Sequence, residues 1–279
     1  MSGVRTITRG GTRFYVSPED GRVKYPGVTS IVGMVPKTFL TYWAAKTTAE
    51  AAIANLEAIR AIAANDPEGA VDYLKNAPRR YTKARADVGS MAHDVFERIM
   101  NGEIVGRVHP DIQRHVNNFA EFKAMVNPEL ISAENVAWSD THQYAGSYDA
   151  ILRVWIDPET GAVTPDRSGE PHVLMVDYKT SKSTYPDVAL QLSAYAHADH
   201  IIDADGAVHT MPEFDGAAVL HITETAWAFK PVRADRVVFS HFLDLRRTFE
   251  WDRELSRTVL GKPLVKGGKM ETGTERRAR

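Results

Sequence analysis

Residues 172–180, His-Val-Leu-Met-Val-Asp-Tyr-Lys-Thr, form an apolar run on both alternating faces until the charges arrive. A strand that is apolar on both faces is covered on both faces, so it belongs in the middle of a sheet with helices packed on either side. The surrounding pattern agrees with an α/β chain. Residues 130–138 and 143–156 read as strands, and 157–170 as a turn-rich connection. A helix fits 186–203, with Pro186 suited to its first turn. Strands recur at 217–223 and 226–232, and a helix fits 235–259. Upstream, the spacing predicts a hairpin (12–16 with 22–31, turning at Asp20-Gly21). An Ala-rich helical stretch follows at 37–64, with breaks at Asp66-Pro67 and Ala77-Pro78. Helices are expected at about 79–100, ending at Asn101-Gly102, and at 110–126. The tail from Gly261 is basic and Gly-rich, and reads as disordered. The expected division is an N-terminal hairpin and helical extension (1–78), a core (79–260) and the tail (261–279).

Hydrophobic residues make up 43% and charged residues 25% of the 279, which excludes wholesale disorder. The net charge of −2 points to no nucleic acid or membrane partner by itself, so any such signal is local. There is no cysteine. Disulfides, thiolate zinc sites, a cysteine nucleophile and cysteine-held iron–sulfur clusters are thereby excluded. No apolar run approaches the ~20 residues of a membrane span, and the opening MSGVRTITRGG lacks a signal-peptide core. The expectation is a cytoplasmic protein with no membrane partner.

Chemistry concentrates at the end of the central strand. An acid-x-Lys triplet is weak alone, since about 1.5 copies are expected by chance. Two occur, Asp177-Tyr178-Lys179 and Glu121-Phe122-Lys123. Residues two apart share a face in a strand but not in a helix, so only the first can aim both charges at one group. Its plain alternative is a salt bridge at a strand end. Asp149 and Asp177 lie equally far from a turn midpoint near residue 163. An in-register hairpin would set them opposite each other, with Cβ atoms about 5 Å apart. Two carboxylates that close repel unless a cation or proton lies between them. Asp149 facing solvent is the alternative there. Gly89, His93 and Glu97 recur every four residues and share a helix face. Gln191 and Tyr195 do the same on the following helix, each carrying a donor for phosphate oxygens. Taken singly, a histidine on a helix or a packed tyrosine is ordinary. Arg79, Arg80, Lys83 and Arg85, with Tyr81, form a basic run that tracks DNA phosphates or is merely a solvated face.

Gly89-x3-His93, Gly146-x2-Asp149, Asp177-x-Lys179 and Gln191-x3-Tyr195, in that order, resemble the motif series of RecB-like nucleases. These belong to the PD-(D/E)XK superfamily, with a restriction-endonuclease-like core. The chain is most similar to CRISPR-associated adaptation nucleases and phage-encoded exonucleases. Tyr25-Pro26-Gly27-Val28-Thr29-Ser30 and the stretch from Lys37 to Lys46 add to the likeness. The resemblance implies His93, Asp149, Asp177 and the main-chain carbonyl of Tyr178 as ligands of Mg²⁺ or Mn²⁺. It implies Lys179 as the catalytic lysine, and Gln191 and Tyr195 as support for the site and for DNA. Glu134 matches an acid found in the preceding strand of such proteins. The lack of cysteine departs from the members that carry an iron–sulfur cluster. The implied activity is metal-dependent hydrolysis of a DNA phosphodiester, most simply as an exonuclease, with recombination or replication proteins as partners. The implied setting is the bacterial host cytoplasm if the chain is phage-encoded. Oligomeric state is open. A catalytically idle DNA-end-binding scaffold and a small-molecule phosphohydrolase are the rivals. No phosphate-loop motif is present, which sets aside a helicase–nuclease in one chain.

Overall fold

The computed structural model describes residues 3–265 together with 267 and 268, so most of the expected disordered tail lies outside the described residues. The chain opens with β1 (Thr6–Arg9), β2 (Thr12–Val16) and β3 (Lys24–Pro26), an antiparallel sheet in that order. The turn from β1 to β2 places Gly10 and Gly11 at φ 55° and 77°, the left-handed region that side chains resist. The expected hairpin is β2 with β3, and its second strand is short. Pro26 offers no N–H to continue the ladder, and Gly27 caps α1 (Val28–Val32), whose Val28 and Ile31 are buried.

Helices α2 (Phe39–Ala54), α3 (Leu56–Asn65), α4 (Pro67–Lys75) and α5 (Ala77–Met100) follow. Asp66-Pro67 and Ala77-Pro78 are helix starts rather than breaks. A proline in the first turn costs no hydrogen bond, and the Asp66 carboxylate accepts the Gly69 N–H at 2.9 Å. Next comes α6 (Pro110–Val126), packed on α5 with Phe96 stacked on Phe119 at 4.3 Å.

The rest of the chain is β4 (Glu129–Ala133), β5 (Val136–Ser139), β6 (Tyr144–Ser147), β7 (Ala150–Ile156), β8 (Val163–Thr164), β9 (Glu170–Lys179), α7 (Val188–Ala196), β10 (His200–Ile202), β11 (Val208–Thr210), β12 (Gly216–Ile222), β13 (Trp227–Val232) and α8 (Arg236–Arg253). A six-stranded mixed sheet runs β13-β12-β9-β7-β4, with β8 beside β7. Only β9 and β12 are parallel in it. A four-stranded antiparallel sheet runs β11-β10-β5-β6. The fold is α/β, and β9 is central as its two apolar faces require. Val176 and Tyr178 face the layer of α5 and α6, while Met175 faces α1, α7 and α8.

Several differences from the sequence pattern matter. The strand expected at 130–138 is β4 and β5, and the one at 143–156 is β6 and β7. Both break at the same level, where Glu134 adopts φ 54°. Pairing continues across the break, with the Glu134 N–H on the Asp149 carbonyl at 3.3 Å and the Tyr148 N–H on the Asn135 carbonyl at 3.2 Å. One long hairpin thus bends from the larger sheet into the smaller. The helix expected to reach 203 stops at Ala196. His200–Ile202 pairs instead with Val136–Trp138, burying Ile201 and Ile202. Pro186 precedes the Asp187 cap and lies outside the first turn, and α8 ends at Arg253.

Candidate active site

The carboxyl end of β9 opens into a cleft of about 590 Å³, lined by His93, Glu134, Asp149, Asp177, Lys179 and Gln191 among others. Strand alternation carries Asp177 and Lys179 to the same side. The Asp177 carboxylate is 3% exposed. Its Oδ1 accepts hydrogen bonds from Lys179 Nζ at 2.7 Å and Gln191 Nε2 at 3.1 Å. Its Oδ2 lies 2.6 Å from the same ammonium, so Lys179 pairs with both oxygens. The other triplet behaves as helix geometry demands. Glu121 accepts from Trp227 Nε1 at 3.2 Å, and Lys123 turns to the Ile99 carbonyl at 2.6 Å.

The β7–β9 register ends on Ala150↔Val176, so Asp149 and Asp177 are the next residues outward on the two chains. The symmetric placement about the turn is what the structure contains. Asp149 Oδ2 accepts the Tyr178 N–H at 2.6 Å. The Tyr178 amide thus touches the site, and its ring packs T-shaped against His93 at 6.0 Å. His93 projects from α5 and brings Nδ1 to 3.7 Å from Asp149 Oδ1. Gly89, one turn earlier, keeps α5 close to the end of β9: a Cβ there would meet Thr180 Oγ1 at 3.2 Å.

The group of imidazole and carboxylate atoms that converge within 4.8 Å of one another is His93, Glu134 and Asp149. This differs from the expected set of His93, Asp149 and Asp177. Asp177 turns its carboxylate to Lys179 and Gln191, and the bend at Glu134 brings a different acid beside the imidazole. The bend itself could not be seen in the residue pattern.

The electrostatics follow from crowding. Burial, then the neighbouring Asp149 and Glu97 charges, push Glu134 from 4.5 up to about 7. Burial and the Asp149 charge raise Asp177, against the pull of Lys179. Burial also pushes Asp149 upward, but His93, Lys179 and the Tyr178 N–H outweigh it and hold its carboxyl below the usual range. Burial disfavours a charged His93, yet Asp149 overrides this and raises it.

Gln191 spends its amide within the protein, on Asp177 and on Tyr195 Oη at 3.2 Å, so in this arrangement it orients the acid. Tyr195 is buried, and a Cβ on Gly146 would come within 2.8 Å of its Cε1 and 3.1 Å of Val28. That accounts for glycine three residues before Asp149. Arg13 and Tyr15, from the N-terminal sheet, also line the cleft, and no motif pointed to them. Tyr15 Oη accepts the Ser147 N–H at 3.0 Å, which fixes that sheet against β6.

The four basic candidates separate. Arg80 lies over the Tyr73 ring at 4.2 Å, and Lys83 pairs with Asp87 at 2.7 Å. Arg79 is exposed on the same helix. Arg85 lines a cavity, next to Tyr81. No helix among the described residues is long and apolar enough to cross a membrane.

Comparison with protein-family models and with curated proteins yields no match for this chain. Its function is therefore argued from the site.

Proposed function

We propose that this protein is a divalent-metal-dependent deoxyribonuclease with a PD-(D/E)XK core, hydrolysing DNA phosphodiesters as an exonuclease. The observation that carries the reading is the convergence of His93, Glu134 and Asp149 within 4.8 Å, in a cleft that the buried Asp177 also lines. Carboxylates so crowded and desolvated favour a cation among them. Oxygen donors with one imidazole suit Mg²⁺ or Mn²⁺. His93, Glu134 and Asp149 would hold the ion. Such an ion supplies Lewis-acid stabilisation of the phosphate and a more acidic bound water.

The chain's own groups do the rest. Lys179 brings an ammonium to the cleft lining, where it offsets charge gathering on a phosphate and can donate a proton. Asp177 holds that ammonium in place at 2.7 Å, and Gln191 holds Asp177. Arg13 adds a second cation to the cleft lining. The preference for DNA ends rests on the likeness of the motif series to phage exonucleases.

The test is digestion of end-labelled linear single-stranded, linear duplex and closed circular DNA with Mg²⁺ or Mn²⁺. Shortening of linear DNA with circles left intact supports an exonuclease. Cut circles replace it with an endonuclease, and no cleavage of any DNA defeats the reading in favour of an idle DNA-end-binding scaffold.

A further inference from the structure

A second cavity of about 860 Å³ runs beside the cleft, and Gly89, His93 and Lys179 line both. Its walls are α2, the first half of α5 and the segment between β9 and α7. Tyr81, Arg85, Gly89 and His93 recur every four residues, so one stripe of α5 leads from this groove to the imidazole. Across from it, Phe39 and Tyr185 stack with ring centroids 6.2 Å apart, and Trp43 meets Tyr81 edge-on at 5.9 Å. Phe39, Tyr81 and Tyr185 are 49%, 44% and 54% exposed. Aromatic faces gathered at a groove and left in water mark a binding surface. The cations along it are Arg85, Lys179, Lys182 and Lys37, the last paired with Asp187 at 2.7 Å. The mostly buried His115 and Tyr178 close its floor. Two needs thus meet in one place: flat apolar faces left in water and positive charge.

A DNA duplex answers only one of these. It presents phosphates, but its base faces are stacked inside. An unpaired strand offers phosphates, base faces and base edges together. We propose that this groove binds a single-stranded DNA segment leading into the cleft, with bases against Phe39, Tyr185, Trp43 and Tyr81 and phosphates along Arg85 and Lys182. The proposal rests on the phosphodiester reading of the cleft and adds strandedness to it: the strand enters unpaired.

Binding separates the two claims. Fluorescence anisotropy in Ca²⁺ would compare a labelled ~15-nucleotide oligothymidylate with a hairpin duplex of similar length. The proteins would be the wild type, Phe39→Ala/Tyr185→Ala and Tyr185→Phe. The wild type is expected to bind the single strand more tightly than the duplex. The double variant should weaken single-strand binding at least ~10-fold while changing duplex binding little, because stacking on two rings is lost. Tyr185→Phe keeps the ring and should bind like wild type. Both rings are half in solvent, and a circular dichroism melt checks that the fold survives. Equal affinity for the two DNAs, no single-strand binding, or an unchanged double variant overturns the proposal. Duplex cleavage that the double variant leaves intact overturns it while sparing the nuclease. Ring-dependent single-strand binding without any cleavage spares the groove and defeats the nuclease.

Discussion

Glu134→Gln removes one carboxylate from the crowded cleft while keeping the size and backbone habit of the side chain. In the folded protein Glu134 is raised from 4.5 to about 7 by burial and by the Asp149 and Glu97 charges. Once ionised, a group raised that far costs the fold about 3 kcal/mol, and partial contact with solvent trims this to roughly 2 kcal/mol. The sign depends on pH. As pH rises from 4.5 towards 7, the unfolded chain releases this proton first, so the folded protein loses stability over that window and bears the full cost above it. The Gln variant carries no such cost. For a chain of this length, ~2 kcal/mol corresponds to a melting temperature about 4 °C higher. The assay is thermal unfolding by circular dichroism in EDTA, at about pH 8 and again near pH 5. The variant should melt higher at the upper pH and close to wild type at the lower. Added Mn²⁺ should stabilise the wild type more than the variant, because a ligand has been removed. A variant that melts no higher than wild type in EDTA at the upper pH, or an Mn²⁺ response equal in both proteins, would refute the reasoning.

Lys179→Ala and Asp177→Ala should each lower DNA cleavage by more than ~100-fold in a timed digest while retaining a cooperative melt; full Mn²⁺-dependent activity in either contradicts the site. Gly146→Ala would push a Cβ to 2.8 Å from the Tyr195 ring. It should cost about 1–3 kcal/mol in a urea titration, and an unchanged midpoint would show that Tyr195 moves freely. Arg85→Ala should reduce the slope of log affinity for single-stranded DNA against log salt by about 0.7, whereas Lys83→Ala should leave it alone, since Asp87 already pairs with Lys83 at 2.7 Å. Equal slopes for the two variants would return the basic run to a solvated helix face.

Some of this architecture is legible in local pattern. A strand apolar on both faces can only be central, and β9 lies between β7 and β12. Equal spacing about a turn places Asp149 across from Asp177, because antiparallel register counts residues symmetrically. Two-residue periodicity sets Lys179 beside Asp177, and four-residue periodicity lines up Gly89 and His93. Those are rules of a single element or of one hairpin, so the residues alone decide them. Where the hairpin bends is different. Glu134 enters the cleft because two sheets diverge at its left-handed backbone, and no periodicity marks that point. Arg13 and Tyr15 reach the cleft from a sheet far away in the chain, held by the Tyr15–Ser147 contact. The aromatic groove likewise needs α2, α5 and the segment before α7 to meet. Residue pattern thus determined which side chains share a face, and tertiary packing alone decided which faces meet. Long-range contacts depend on how elements fill space together, and neither charge nor spacing along one element encodes that.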